Sequence, residues 1–420
     1  MNQKTITDIN KKIEDGEANV FTASEFKNLI RAGDAPEFEE VDVVTCGTCG
    51  VMSGTAAIFN LIASEAGAFK RAKNIYLNGV QANVGPCPNE WLGSVDGIIN
   101  GTSHSKSDSK YGGGFLFKDL ISGKDISIEV EDIEGNIIES STNLSEMPTA
   151  QLLGTRNAFK NYIAFVNPSK DPVSSIFNGI PLKGGLDIIT FSGCGDINPL
   201  QNDPNRLVLK TGSKVLLNGA EGLLIGEGTR SSKEKPNLML TADMHQMNKD
   251  FIGGFVTGEG PEVFDSVAIP IPVLNEEIYN NLLILNEDIS LTVSDIAGRH
   301  MPLTETNYGV MWDNHDDRPV LNKDKCLYCD QCIVQEQCPT KAIHRTTTSV
   351  KLDLNSCFGC GLCAYYCVGN AFSINTGSTT LNIDSKDYKV DIACRQSDKL
   401  RAKNISAELK EKIVNNEFKL

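Results

Sequence analysis

VDVVTCGTCGVMSG, residues 41–54, decides how the first part of the chain is read. Val41, Val43, Val44 and Thr45 are β-branched, the composition of a buried strand, and they run into Cys46, Gly47, Thr48 and Cys49. Glycines at 47, 50 and 54 favour a turn there. GTAAIFNLIASEAGAFKRA (54–72) then reads as an apolar-faced helix and NIYLNGVQAN (74–83) as a second strand. Strand, helix and strand in that order predict a βαβ unit with a parallel pair. On this reading Cys46 and Cys49 lie between a strand end and a helix N-terminus. The helix dipole there favours a thiolate, and open α/β sheets place ligands at the same end. The two thiols are then a nucleophile, a carrier of persulfide, half of a redox disulfide or part of a metal site.

Outward from this unit, FTASEFKNLIRAG (21–33) has helical spacing. FLFKDL (115–120), ISIEVED (126–132) and IIESS (137–141) favour strands, with Gly135 and Asn136 as a turn. DIITFSGCGDINP (187–199) is a strand running into a loop around Cys194, and SKVLLNGAEGLLIGEG (213–228) is a hairpin. FDSVAIPIPVLNEEIYNNLL (264–283) turns from strand to helix, and DISLTVSDIAG (288–298) adds a strand. Polar, turn-rich sequence then leads to a block of cysteines. Beyond it, TTLNIDSKDYKVDIACR (379–395) reads as a strand pair and residues 397–418 as a charged helix that Ser397 can cap.

The 420 residues are 40% hydrophobic and 22% charged, ordinary for a globular protein with ample core. A formal charge of −15 argues against nucleic acid and anionic membranes as partners. The first twenty residues lack a signal-peptide pattern, and no apolar run approaches the roughly 20 residues of a membrane helix. A cytoplasmic protein is expected. Thirteen cysteines in a reducing compartment point to metal or catalysis before disulfides.

Eight of them form two runs. Cys326, Cys329, Cys332 and Cys338 follow C-x2-C-x2-C-x5-C-P, and Cys357, Cys360, Cys363 and Cys367 follow C-x2-C-x2-C-x3-C. Three thiolates at such gaps wrap three corners of an iron–sulfur cube, and the distant fourth ligates the other cube in two-cluster ferredoxins. One [4Fe–4S] cluster is therefore assigned to Cys326, Cys329, Cys332 and Cys367, the second to Cys357, Cys360, Cys363 and Cys338. Zinc ribbons compete for the same residue type, but they pair two separated C-x2-C knuckles. The fold class that follows is a mixed α/β (α+β) large N-terminal domain, residues 1–317, with a small ferredoxin-like domain of two [4Fe–4S] clusters, residues 318–378. Residues 379–420 are a C-terminal strand and helix extension.

Of the other thiols, Cys87 is braced by Pro86 and Pro88, which fix its direction. Cys194 has glycine on each side, so that other groups can approach it, and Cys394 reads as core. GEGTRSSKEKPN (226–237) gathers Arg230 with glycines and hydroxyls suited to an anion, and Arg395 is available to pair with a carboxylate. His245 beside Asp243 is an acid–base candidate. Dinucleotide and Walker fingerprints are missing, so electrons are expected to arrive through the clusters.

VDVVTCGTCGVMSGTAAIFN, GVQANVGPCPNEWLGSVDGIINGT, YGGGFLFKDLISGK, RNAFKNYIAFVNP, FSGCGDINPLQNDP and LLNGAEGLLIGEGTRSS, joined to a two-cluster ferredoxin, resemble the methanogenesis-marker metalloproteins of the homocysteine-biosynthesis family. The resemblance covers nearly the whole chain. It implies an L-aspartate semialdehyde sulfurtransferase making L-homocysteine from the aldehyde and sulfide, in a methanogenic archaeon. Replacing an aldehyde oxygen by a thiol needs a sulfur nucleophile, loss of water and two reducing equivalents. A thiolate among Cys46, Cys49 and Cys87 is expected to carry sulfur as persulfide, a second nearby cysteine releasing it as a disulfide forms. A thioaldehyde-type intermediate is then reduced through the clusters by a low-potential electron donor, with Arg230 or Arg395 on the substrate carboxylate. Two readings of other classes compete: a non-catalytic iron–sulfur electron-transfer subunit, and an assembly protein for a metallocofactor of methanogenesis.

Overall fold

The computed structural model describes residues 3–85, 87, 91–160, 162–298 and 301–420. Helices α1 (Ile6–Glu14) and α2 (Ala23–Ala32) form as the spacing predicts. Thr22 and Glu25 close a capping box on α2, and Gly33, in the left-handed conformation, ends it. The strand that follows, β1, runs Val43–Val51 without a break through both thiols. Each residue from Val43 to Gly50 is buried, so every backbone group there needs a partner. A long strand downstream, β6 (Gly260–Pro272), supplies them in antiparallel register from Val43 opposite Pro272 to Val51 opposite Phe264.

The expected helix over 54–72 is instead strand β2, Thr55–Ile62. Thr55, Ala57, Phe59 and Leu61 are buried while their alternating neighbours are partly exposed, a period of two that the alanines disguised as helix. The βαβ reading fails with it. β2 is antiparallel to both β3 (Ser94–Asn100) and β4 (Thr149–Asn157). The parallel partner of β1 is the short strand Val20–Thr22, which precedes it. Residues 115–120 are not a strand but part of helix α3, Gly113–Ile121, because Leu116, Phe117 and Leu120 are buried together at helical spacing. The hairpin through Gly135 and Asn136, the 214–227 hairpin and the strand-to-helix passage into Glu276–Leu282 form as expected.

β1, β2, β3, β4 and β6 belong to one 14-stranded sheet. A second sheet has six strands, and β5 (Ile188–Phe191) pairs in it in parallel with β7 (Lys386–Ile392). The fold class is thus mixed α/β, and residues 379–420 feed the large unit itself. The terminal helix α6, Lys399–Val414, lies across β1. Thr45 Oγ1 donates to Ser406 O at 2.9 Å, and Ser406 Oγ to Thr45 O at 2.6 Å. Gly47 faces Ala402: a Cβ there would stand 2.1 Å from the Ala402 carbonyl oxygen. The glycine between the two cysteines therefore serves helix packing, not a turn. Asp398, rather than Ser397, caps α6 through the Arg401 N–H. Among the described residues no helix is long and apolar enough to cross a membrane.

The cysteine-rich segment is built from two like halves. Helices α4 (Ile333–Gln337) and α5 (Leu362–Tyr366) pack together, each ending at the last cysteine of its run. Cys338 and Cys367 accept the N–H of Ala342 and Ala371 at 3.3 and 3.4 Å, and Lys341 and Asn370 adopt the left-handed conformation at matching places. Phe358 leaves this segment and enters the main core, its ring 5.0 Å from Phe255 and 5.2 Å from Phe264.

Candidate functional site

Three residues apart on one strand, Cys46 and Cys49 point to opposite faces of β1. Their Cα atoms are roughly 10 Å apart at the rise of a strand, beyond the reach of a disulfide. Of the alternatives open to CGTC, a disulfide between its own two cysteines does not fit this strand. Cys46 faces the side of α2, and its thiol is pushed up to about 12 by burial, with the Lys27 charge opposing. Lys27 Nζ is itself buried on Asn202 Oδ1 (3.0 Å), Ile284 O (2.9 Å) and Leu282 O. Burial brings this amine down to about 8, against the pull of Asp196.

Cys49 faces α6. Burial raises its thiol well above the ordinary range, the charge of Asp398 adds to this, and Arg401 opposes it. The N-terminus of α6 does stand beside Cys49, but burial outweighs it, and at both thiols the neutral form is favoured. Cys194, after β5, donates from Sγ to Cys49 O at 3.6 Å. Burial pushes it up to about 11, while the Cys49 backbone and the Thr48 side chain pull it down. Cys194 is thus a neighbour of the Cys49 backbone, a placement of which its local sequence carried no sign.

Cys87 is exposed and elsewhere. Its carbonyl accepts the Asp96 N–H at 3.0 Å, and Asp96 pairs with Asn60. Asn60 is five residues along β2 from Thr55, roughly 17 Å from the end that joins β1. The flanking Pro86 and Pro88 lie outside the described residues.

A cavity of about 430 Å³ opens between the end of β1 and the second sheet. Thr48 and Gly50, on either side of Cys49, line it, as does Gly193, next to Cys194. Gly193 (φ 113°) brings its backbone close to Tyr308, where a Cβ would meet the hydroxyl oxygen at 2.4 Å. Aromatic walls are supplied by Phe159, Tyr162, Phe165 and Phe177. Three cations line the same space: Arg156, Arg230 and Lys235. Arg156 stands 5.2 Å over Phe159 with its Nε unpartnered, and Lys235 stands 5.9 Å over Tyr162. Arg230 and Lys235 both come from the glycine-rich segment singled out for anions. Arg156, inside strand β4, carried no sequence signal. Arg395 does not line the cavity; it is buried against Trp312.

Ser53, in the turn that lines the cavity after β1, hydrogen-bonds buried Glu262. Burial raises this carboxyl to about 7, the Ser53 bond opposing, and its Oε2 has no partner. His245 lies on the surface, paired with Asp243 at 2.7 Å and Met147 O at 3.1 Å, away from the cavity.

The two cysteine runs interleave. Cys338, Cys357, Cys360 and Cys363 line one cavity together with Phe358, Leu362 and Tyr366. Burial raises Cys357, Cys360 and Cys363, and the nearby charge of Cys338 raises all three further. Cys326, Cys332 and Cys367 pack on the small core of Val334, Ile343 and Val350, and Cys329 is exposed. Among the described residues no three His, Cys, Asp or Glu side chains converge on one point as a single ion requires. The second run is seated beside the thiol strand. Arg318 binds Asp398 through two hydrogen bonds of 2.9 and 2.8 Å, and Asp398 donates its N–H to Cys49 O at 3.0 Å. Arg395 N donates to Cys360 O at 3.2 Å.

Residues 18–420 match the family described as "Homocysteine biosynthesis enzyme, sulfur-incorporation". A protein of Methanothermobacter thermautotrophicus is 48% identical over 98% of this chain and 94% of its own length. The L-aspartate semialdehyde sulfurtransferase of Methanosarcina acetivorans is 31% identical over 73% of this chain and 62% of its own. Pyruvate synthase subunit PorD of Methanothermobacter marburgensis is 42% identical over 50 residues, 12% of this chain and 56% of its own. No solved structure matches the chain.

Proposed function

Because the chain belongs to the family of sulfur-incorporating homocysteine biosynthesis enzymes, we propose that it converts L-aspartate semialdehyde and a sulfide or persulfide donor into L-homocysteine. The observation that carries this reading is the cavity with three cations in its walls, lined also by Thr48, Gly50 and Gly193, the chain neighbours of Cys49 and Cys194. A small amino acid with a carboxylate at one end and an aldehyde at the other fits such a division. Arg230, joined by Arg156 and Lys235, holds the carboxylate, since guanidinium groups match that geometry. The aldehyde then lies toward the Thr48–Gly50 and Gly193 wall.

Sulfide adds to the carbonyl carbon, water leaves, and the resulting C=S bond takes two electrons and two protons to become the thiol. Sulfur carried as a cysteine persulfide needs two further electrons, which cleave the S–S bond. We assign the carrier role to Cys49 with Cys194 as its partner, in place of the wider set of Cys46, Cys49 and Cys87. Glu262, protonated up to about pH 7, is placed to supply a proton through Ser53 as water leaves.

The eight cysteines of residues 326–367 are the proposed ligands of two [4Fe–4S] clusters. One would be held by Cys326, Cys329, Cys332 and Cys367, the other by Cys338, Cys357, Cys360 and Cys363. Thiols set around a cavity, rather than drawn to a point, suit a multi-iron cluster, and the likeness to subunit PorD supports the same reading. Such clusters supply electrons one at a time. Arg318 is bonded to Asp398 and acts electrostatically on both Cys357 and Cys49, which supports a route for reducing equivalents from the second set of ligands toward the cavity.

The test is a panel of single variants of anaerobically purified protein, supplied with the aldehyde, sulfide and a low-potential reductant. Cys49→Ala is expected to abolish homocysteine formation while Cys87→Ala retains it. The opposite result moves the carrier to the exposed loop. No product from cluster-replete wild-type protein sinks the function and favours an electron-transfer subunit.

A further inference from the structure

Arg395 is among the largest fully buried side chains of the protein, 1% exposed. Its Nη1 donates to Asp316 O at 2.8 Å, while Nε and Nη2 have no partner. The carboxylates around it are committed to others. Asp398 holds Arg318 and Arg401, Asp317 holds Lys403 at 3.0 Å, and Asp316 Oδ2 accepts the Asn375 N–H at 2.7 Å. Among the described residues Arg395 makes no ion pair. A buried guanidinium with two nitrogens unpartnered calls for an acceptor or an anion beside them. After Asp317, the group that acts most strongly on the guanidinium is the sulfur of Cys360, whose carbonyl takes the Arg395 N–H at 3.2 Å. The Trp312 ring lies 4.9 Å from the guanidinium carbon, and the whole side chain is buried.

We propose that Arg395 is the counter-charge of an anionic iron–sulfur cluster held by Cys338, Cys357, Cys360 and Cys363, and that its guanidinium raises the reduction potential of that cluster. The inference rests on the iron–sulfur reading of those four thiols. A cluster with four thiolate ligands is an anion in both oxidation states and gains one more negative charge on reduction. A fixed cation in a dry site stabilises the reduced form more than the oxidised one. Arg318 and Arg401, the other buried guanidinium groups nearby, both have a carboxylate partner in Asp398. Arg395 is thus a positioning residue that acts through the cluster, and the tuning falls on the second cluster alone.

The experiment is an anaerobic redox titration of the full chain, followed by electron paramagnetic resonance, with iron and acid-labile sulfide measured on the same samples. Arg395→Gln is expected to move one of the two cluster signals to lower potential and leave the other in place. Arg395→Lys, which keeps the charge, is expected to restore most of the difference. An unshifted pair of signals in a fully loaded Arg395→Gln protein overturns the proposal, as does an equal shift of both. Loss of half the iron in Arg395→Gln but not in Arg395→Lys supports the same electrostatic role. The same loss in both variants reduces Arg395 to packing and overturns it. Wild-type protein that carries no iron and sulfide refutes the iron–sulfur reading itself, a failure distinct from the others.

Discussion

Gly47→Ala tests why a glycine separates the two thiols. The added methyl would lie 2.1 Å from Ala402 O and 2.9 Å from its carbonyl carbon, both backbone atoms of α6. Ordinary contact begins at 3.4 Å, so the helix and strand must part by about 1 Å locally, since neither can rotate a side chain away. Overpacking of this kind costs about 1–3 kcal/mol, and the upper end is expected where backbone meets backbone. The displacement also moves Asp398, which caps α6, accepts from Arg318 and donates to Cys49. Denaturation in urea should show a lowered midpoint, and thiol labelling under native conditions should reach Cys49 faster than in the wild type. Gly226→Ala is the control, because nothing lies within 4 Å of a Cβ there. If Gly47→Ala denatures like Gly226→Ala, the packing role assigned to this glycine is wrong.

Three further outcomes are expected. Arg156→Gln and Arg230→Gln should each raise KM for the aldehyde by about tenfold or more with kcat little changed, as loss of a charged hydrogen bond to substrate predicts; an unchanged KM in both would move the carboxylate elsewhere. Asp398→Asn should destabilise the protein by about 3–5 kcal/mol, because it strips the partner from the buried Arg318 and Arg401 together; a loss below about 1 kcal/mol would show those charges to be solvated. Glu262 has a folded pKa raised from 4.5 to about 7, so its contribution is fully present below about pH 4.5 and lost as pH rises through 7. The change is roughly 3 kcal/mol, and Glu262→Gln should flatten the stability profile over that range; parallel profiles would contradict the burial argument.

The sequence carried different amounts of this at different places. Cap signals at Thr22, Glu25 and Gly33, the turn at Gly135 and Asn136, and the β-branched run before Cys46 all speak through local chemistry, and the structure follows them. Residues 54–72 were misleading because Ala56 and Ala57 fit a helix as well as a strand. Only pairing with β3 and β4, contributed by residues far along the chain, resolves the period to two. FLFKDL failed for the complementary reason: a short apolar run has no period of its own. The same non-local pairing changed the reading of the thiols. Buried between β6 and two helices, Cys46 and Cys49 became neutral, back-to-back side chains, and Cys194 became the neighbour of Cys49. Arg156 and Arg395 exchanged expectations because strand β4 faces the cavity and residue 395 does not.

The most direct measurement supplies cluster-replete protein with L-aspartate semialdehyde, isotopically heavy sulfide and a low-potential reductant, then weighs the amino-acid product. The account predicts homocysteine carrying the heavy sulfur, formed over many turnovers and dependent on the reductant. Recovery of unchanged aldehyde, or of labelled product that forms equally well without reductant, would contradict it.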